Sequence, residues 1–205
     1  MNNCDELTKW WEETLNGDVQ SFSRIHNTLY SALYYYLYKI VKDEDAAQDI
    51  LQDLFVKLWE RRQRLGPIRN VKYYFFKSAR SLAITFIRCN KSESLHLNTG
   101  NQIDIVFSAE DILVDHEAGL EMKQMLSQAL NTLPKRQKEM IFLRYFDNWG
   151  YDQIAELTGL RYQSVVNHVH RGINHLRFKL TEKNKNEVPR HIQINENCCA
   201  QQIQI

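Results

Sequence analysis

Between residues 151 and 180 the sequence spells out two helices and the turn that joins them. Asp152-Gln153-Ile154-Ala155-Glu156-Leu157 places Ile154, Ala155 and Leu157 on one side of a short helix. Thr158-Gly159-Leu160 follows as the turn, where glycine accepts a positive φ and Leu160 plugs the core. A second helix begins at about Tyr162, and its Val165, Val169, Ile173 and Leu176 step by four, four and three residues, so all four point inward. Ala155 is the small residue that lets the two helices cross closely. The outward face then carries Gln163, Ser164, Val166, Asn167, His168, His170 and Arg171, with Arg161 and Tyr162 at its start. Amides, a hydroxyl, imidazoles and guanidinium groups on one exposed helix face suit major-groove base edges and the phosphates beside them. A plain hairpin with a solvated polar face is the alternative. Apolar spacing, turn glycine and basic outer face together point to duplex DNA.

The rest of the chain is also read as helical. Three prolines and seven glycines in 205 residues are too few for the turns of an all-β protein, and a hydrophobic fraction of 43% suffices for packed cores. Phe22, Ile25, Leu29, Leu33, Leu37 and Ile40 describe one face of a helix over 18–41. Asp43 or Asp45 can cap the next helix, which runs to about Arg62 with Ala47, Ile50 or Leu51, Leu54 and Leu58 inward. Gly66-Pro67 breaks it, and Asn70 caps a third helix reaching about Cys89. From 90 to about 115 no periodicity is sustained. This Ser-, Asn- and acid-rich stretch reads as a linker with a short apolar patch, Ile103, Ile105, Val106 and Phe107, able to dock elsewhere. Helical pattern resumes near 117 with Leu120, Met125 and Leu126, and Pro134 suits the first position of the following helix. The expected fold is all-α: two small helical domains, 1–91 and 117–181, joined by a flexible acidic linker over 92–116 and followed by a loosely ordered polar tail over 182–205.

A formal net charge of +1 conceals a strong segregation. Residues 61–91 hold Arg61, Arg62, Arg64, Arg69, Lys72, Lys77, Arg80, Arg88 and Lys91 with no acid, while 92–121 hold seven acids with no Lys or Arg. Residues 161–180 are basic again. Two such patches can release counterions from a phosphate backbone. Within the first, Tyr73-Tyr74-Phe75-Phe76 is an aromatic run that cannot all face one core on a helix. Aromatics among Lys72, Lys77, Arg80 and Arg88 suit stacking on unpaired bases beside phosphate contacts, with core packing as the role of the inward ones. The preceding helix has a different outer face, Asp49, Gln52, Asp53, Val56 and Glu60 with Phe55 and Trp59 alongside. Acids mixed with large apolar side chains are a poor DNA surface and a better protein-docking surface.

Other classes find little support. Cys4, Cys89, Cys198 and Cys199 lack paired spacing and read as reduced thiols. His168 and His170 lie two apart, on different helix faces, with no acid or cysteine near, so no metal site is expected. The N-terminus lacks a secretory pattern, and the apolar stretch 29–41 is too short to span a bilayer, which leaves a soluble cytoplasmic protein without membrane insertion as the expectation. No phosphate-cradling glycine loop, zinc signature or nucleophile–base pair is present, so neither an enzyme nor a cofactor is expected.

Two segments resemble a known family. Ala46-Ala47-Gln48-Asp49-Ile50-Leu51-Gln52-Asp53-Leu54-Phe55-Val56-Lys57-Leu58-Trp59-Glu60 is similar to the polymerase-binding helix in region 2 of bacterial sigma factors. Leu133-Pro134-Lys135-Arg136-Gln137, then Tyr145-Phe146 and the helix-turn-helix, resembles region 4. Two regions joined by a linker resemble the extracytoplasmic-function group of the sigma-70 family, and 160–169 is similar to the branch common in Bacteroidetes. The resemblance implies that Asp49, Gln52, Asp53, Phe55 and Trp59 dock on the β′ clamp of core RNA polymerase, with the β flap as a second contact. It implies that Lys72, Tyr73, Phe76, Lys77, Arg80, Ser81 and Arg88 melt and read the −10 promoter element. Arg161, Tyr162, Gln163, Ser164, Asn167, His168 and Arg171 would read the −35 element, the acidic linker would run toward the polymerase active-site channel, and an anti-sigma factor, often membrane-bound, would be an inhibitory partner. The chain departs from the family pattern at Ser81 and Thr85, where Asn and Asp are usual, at Gln153 for Glu, at His168 for a basic residue and at Gly172 for Ala. A stand-alone regulator with a ligand-sensing or dimerising N-terminal bundle is the competing reading.

Overall fold

Capped starts and left-handed stops delimit the helices that the apolar spacing predicts. The computed structural model describes residues 3–90, 103–112 and 119–184. Its elements are α1 (Asn3–Leu15), α2 (Val19–Val41), α3 (Glu44–Leu65), α4 (Val71–Asn90), α5 (Leu120–Asn131), α6 (Lys135–Ile141), a π-helical turn (Phe142–Phe146), α7 (Tyr151–Thr158) and α8 (Tyr162–Asn184). The Asp18 carboxylate accepts from the amides of Gln20 and Ser21 to start α2, which stops at Lys42 with φ of 62°. Of the two candidate caps for α3 it is Asp43 that accepts from the Ala46 amide. Asn70 starts α4 by accepting from the Tyr73 amide at 2.9 Å, as expected. Pro134 lies one position before α6 rather than at its first residue.

Helices α1 to α4 form the first bundle around Ile25, Leu29, Leu33, Leu51, Leu54 and Phe75. Helix α1 goes beyond the sequence reading. Its Trp11 is wholly buried, meets Phe75 edge-on at 6.0 Å and donates Nε1–H to the Gly66 carbonyl at 2.9 Å. That one bond closes α1 over the break between α3 and α4. In the second bundle the two helices of the helix-turn-helix are where the spacing puts them. Gly159 has φ of 70°, and Val165, Val169 and Leu176 are buried. The π-helical turn carries one residue more per hydrogen-bonded loop than an α-helix, and its end is marked by the Asp147 amide donating to the Phe142 carbonyl at 3.3 Å. It delivers Trp149 to the interior, 2% exposed.

The segment 103–112 corrects the expectation of a flexible linker over this part of its length. Ile103, Ile105, Phe107 and Ile112 are buried, whereas Val106 faces outward. Asn131 holds the backbone of Phe107 on both sides, accepting from its N–H at 2.9 Å and donating to its carbonyl at 2.7 Å. The acids are anchored too: Asp111 pairs with buried Lys39 of α2, and Asp104 with Lys138 of α6 at 2.5 Å and Lys42 at 3.8 Å. Alternating apolar residues wedge this segment in, and cations from both bundles neutralise its acids. The rest of the expected linker, the tail from 185 onward and Cys4, Cys198 and Cys199 lie outside the described side chains. No strand occurs among the described residues.

Candidate nucleic-acid interface

The outward face of α8 is open. Arg161, Tyr162, Gln163, Asn167 and Arg171 are exposed, and Ser164 and His168 are half-buried. Gln163 donates to Asn167 at 3.2 Å across one turn, which pre-orients two amides on the face that would meet base edges. Burial, helped by Arg136 and Arg171, lowers the His168 pKa, so its imidazole is neutral at physiological pH and can both donate and accept. Two departures from the family pattern have local reasons. Gln153 Oε1 accepts from the Gly150 amide at 2.9 Å, a capping role that its amide fills as a carboxylate would. Gly172 lies against α6, where a Cβ would stand 2.6 Å from Ile141 Cδ1.

The residues expected on α4 divide into two sets. Lys77, Ser81 and Arg88 are exposed. Lys72, Tyr73, Phe76 and Arg80 form a stripe turned toward the second bundle; Tyr73 is 8%, Phe76 0% and Arg80 6% exposed. The Tyr73 hydroxyl donates to the Glu156 carbonyl at 3.4 Å. The Phe76 ring meets Trp149 edge-on at 5.0 Å, and the Lys72 ammonium stands over both rings, 5.7 Å from Phe76 and 5.2 Å from Trp149. Arg80 donates through Nε and Nη2 to Glu139 Oε1 at 3.1 and 2.9 Å, and Arg136 stands 3.6 Å from the other oxygen. Glu139 is wholly buried, and burial lifts its pKa against the pull of the two guanidinium groups.

On α3 the acidic face is available. Asp49, Gln52 and Asp53 are exposed around a shallow hollow floored by Ile50 and by Phe86 of α4. Asp53 also pairs with Lys57 at 2.9 Å, an exposed contact of small energy. Phe55 turns inward instead, 6% exposed, against His26 at 4.5 Å and Phe75 at 5.7 Å. Trp59 is half-buried, with Phe22 at 5.2 Å and the Arg62 guanidinium over its ring at 3.9 Å. Phe86, Glu139 and Trp149 were not among the residues singled out from sequence. A glutamate inside Lys-Arg-Gln-Lys-Glu-Met reads as solvated, and the partner that buries it is 59 residues away.

Two family models match the chain: Sigma-70 region 2 over residues 25–93, and Sigma-70, region 4 over residues 123–176. The chain belongs to the sigma-70 family. Helices α2 to α4 are region 2 of this sigma factor, and α5 to α8 contain its region 4. RNA polymerase sigma factor SigV of Bacillus subtilis is 27% identical over 146 residues, covering 71% of this chain and 82% of that protein. ECF RNA polymerase sigma factor SigW of the same organism is 24% identical over 183 residues, covering 86% and 97%. Among solved structures, the sigma factor RpoE of Bartonella quintana in complex with the anti-sigma factor NepR shares the fold with a TM-score of 0.57 at 23% identity, covering 80% of this chain and 98% of that one. CnrH in complex with the cytosolic domain of CnrY gives 0.60 at 16%, covering 86% and 98%. The protein is an extracytoplasmic-function sigma factor that directs promoter-specific transcription initiation, and the region 2 match over the N-terminal bundle disfavours the stand-alone regulator. Sigma factors are not themselves enzymes. Among the described residues no helix is long and apolar enough to cross a membrane, and no group of three His, Cys, Asp or Glu is placed to hold a metal.

Proposed function

We propose that this sigma factor divides its work among three helix faces. The α3 face of Asp49, Gln52 and Asp53, with Trp59 at its edge and Phe55 supporting it from beneath, docks on the β′ clamp of core polymerase. The α4 residues Lys72, Tyr73, Phe76, Lys77, Arg80, Ser81 and Arg88 capture the −10 element as it opens. The α8 residues Arg161, Tyr162, Gln163, Ser164, Asn167, His168 and Arg171 read the −35 duplex, while region 4 meets the β flap. The working boundaries are 1–91 for region 2, 92–116 for the linker, 117–181 for region 4 and 182–205 for the tail. The protein acts in the cytoplasm, belongs to the branch common in Bacteroidetes by its 160–169 segment, and is held in check by an anti-sigma factor, the kind of partner named for the Bartonella quintana relative in fold.

The observation that carries this reading is the segregation of chemistry between neighbouring helices: exposed acids on α3, cations and aromatics on α4, amides and guanidinium groups on α8. A polymerase pull-down followed by in vitro transcription tests it. The wild type should bind core polymerase and start transcription on genomic fragments. Asp49→Arg with Asp53→Arg should lose polymerase binding at least tenfold with helicity unchanged, because both side chains are exposed. Undiminished binding by that variant, or none by the wild type, would refute the assignment.

A further inference from the structure

The stripe of α4 assigned to the −10 element is the one that region 4 covers, and the covering groups match the chemistry of the nucleic acid they exclude. Spacings of one, three and four residues bring Lys72, Tyr73, Phe76 and Arg80 to one side of the helix. Where an unstacked base would lie against Phe76, the indole of Trp149 lies at 5.0 Å. Where a phosphate would take the Arg80 guanidinium, the Glu139 carboxylate takes it, at 2.9 and 3.1 Å. Lys72, the other cation of the stripe, stands 5.2 Å from the same indole. The linker seals one flank, Asp111 to Lys39 of α2 and Asp104 to Lys138 of α6. The acidic face of α3 and the reading face of α8 stay uncovered.

We infer that region 4 acts in cis as a nucleotide mimic, Trp149 for the base and Glu139 for the phosphate, and that this latch keeps the −10 surface of the unbound sigma factor closed until polymerase separates the two regions. The inference rests on the assignment of α4 to the −10 element made above. The asymmetry sets an order of events. Polymerase can engage the exposed α3 face of the closed chain, but single-stranded DNA competes with the latch for Phe76 and Arg80. Affinity for the single strand is therefore reduced by the fraction of chains that stand open.

The test uses the full-length chain and a fluorescein-labelled pool of random-sequence single-stranded DNA, about 12 nucleotides long, followed by fluorescence anisotropy. Glu139→Gln, nearly the same shape, should bind at least tenfold more tightly than wild type with unchanged circular dichroism, and Trp149→Ala should act in the same direction. Adding Arg80→Gln to Glu139→Gln should cancel the gain, as it must if the gain comes from freeing Arg80, and the unchanged circular dichroism of Glu139→Gln excludes nonspecific loosening. If Trp149→Ala fails to fold, Glu139→Gln carries the result. Should both fail, dyes on region 2 and region 4 of the wild type provide the measurement: transfer should be high in the unbound chain and fall on adding core polymerase. Folded variants that bind no better than wild type, or dyes that report no separation, overturn the latch. Failure of the wild type to bind polymerase at all would instead sink the functional assignment on which the latch rests.

Discussion

At the scale of single residues, Asp147 shows how the closed arrangement is tuned. Its backbone amide ends the π-helical turn, and its carboxyl is left with Oδ2 buried and unpartnered, facing Tyr35, Tyr36 and Lys72. Burial, opposed by Lys72, pushes its pKa up to about 7 from an ordinary 3.8. An acid raised in the folded state keeps its proton longer folded than unfolded. The stability it contributes is complete below 3.8 and is lost as the pH climbs through about 7. Asp147→Asn should remove most of that slope and raise the melting temperature at pH 7.5 by roughly 3–6 °C, with the difference vanishing toward pH 4. Glu139, also raised by burial, leaves a slope of the same sign. Melting curves followed by circular dichroism across this range decide it, and an unchanged slope in the variant would count against the assignment. Neither acid was legible in the sequence. Short polar stretches such as Asp147-Asn148 read as surface turns, and what buries them is packing between segments far apart in the chain.

At the scale of elements, legibility followed the strength of the local rule. Helices α2, α3, α7 and α8 were readable because apolar residues at steps of three and four, a capping carboxylate or a turn glycine all agree. Helix α4 was readable as a helix but not in its orientation: apolar or aromatic residues lie around most of its circumference, so periodicity cannot say which side meets region 4. Helix α1 escaped because Trp10-Trp11 sits among charged neighbours, and the π-helical turn because no sequence rule announces one. The α6–α8 crossing gives a test at this scale. Gly172→Ala gains about 1 kcal/mol of helix propensity but drives its new methyl into Ile141 Cδ1, 2.6 Å away, so the single change should be near neutral. Ile141→Val alone should cost about 1 kcal/mol, and in combination the removed methyl makes room for the added one. Urea denaturation of the four proteins should reveal a favourable coupling of about 1 kcal/mol, and strict additivity would show that Ile141 yields freely.

At the scale of the whole molecule, two family modules share one interior. The Phe107 ring, at 5.2 Å from Phe146 and 6.3 Å from Phe142, belongs to a segment whose acids are paired to α2 on one side and α6 on the other. The wild type should therefore unfold in a single calorimetric transition. Phe107→Ala should cost about 3 kcal/mol and split or broaden that transition, because it removes the ring that ties the segment to region 4. Two separate transitions in the wild type would mean that the shared interior is too weak to couple the modules. The arrangement also makes the chain sensitive to its own length at one place. Residues Phe142–Phe146 wind with one residue too many for an α-helix, and the exposed Tyr145 in that turn is the surplus a single-codon deletion could remove. Such a deletion would turn everything beyond it by about 100° about the helix axis and carry Trp149 away from Phe76. Descendants of this gene could thus gain or lose self-closure in one frame-preserving step that removes none of the residues assigned to the promoter.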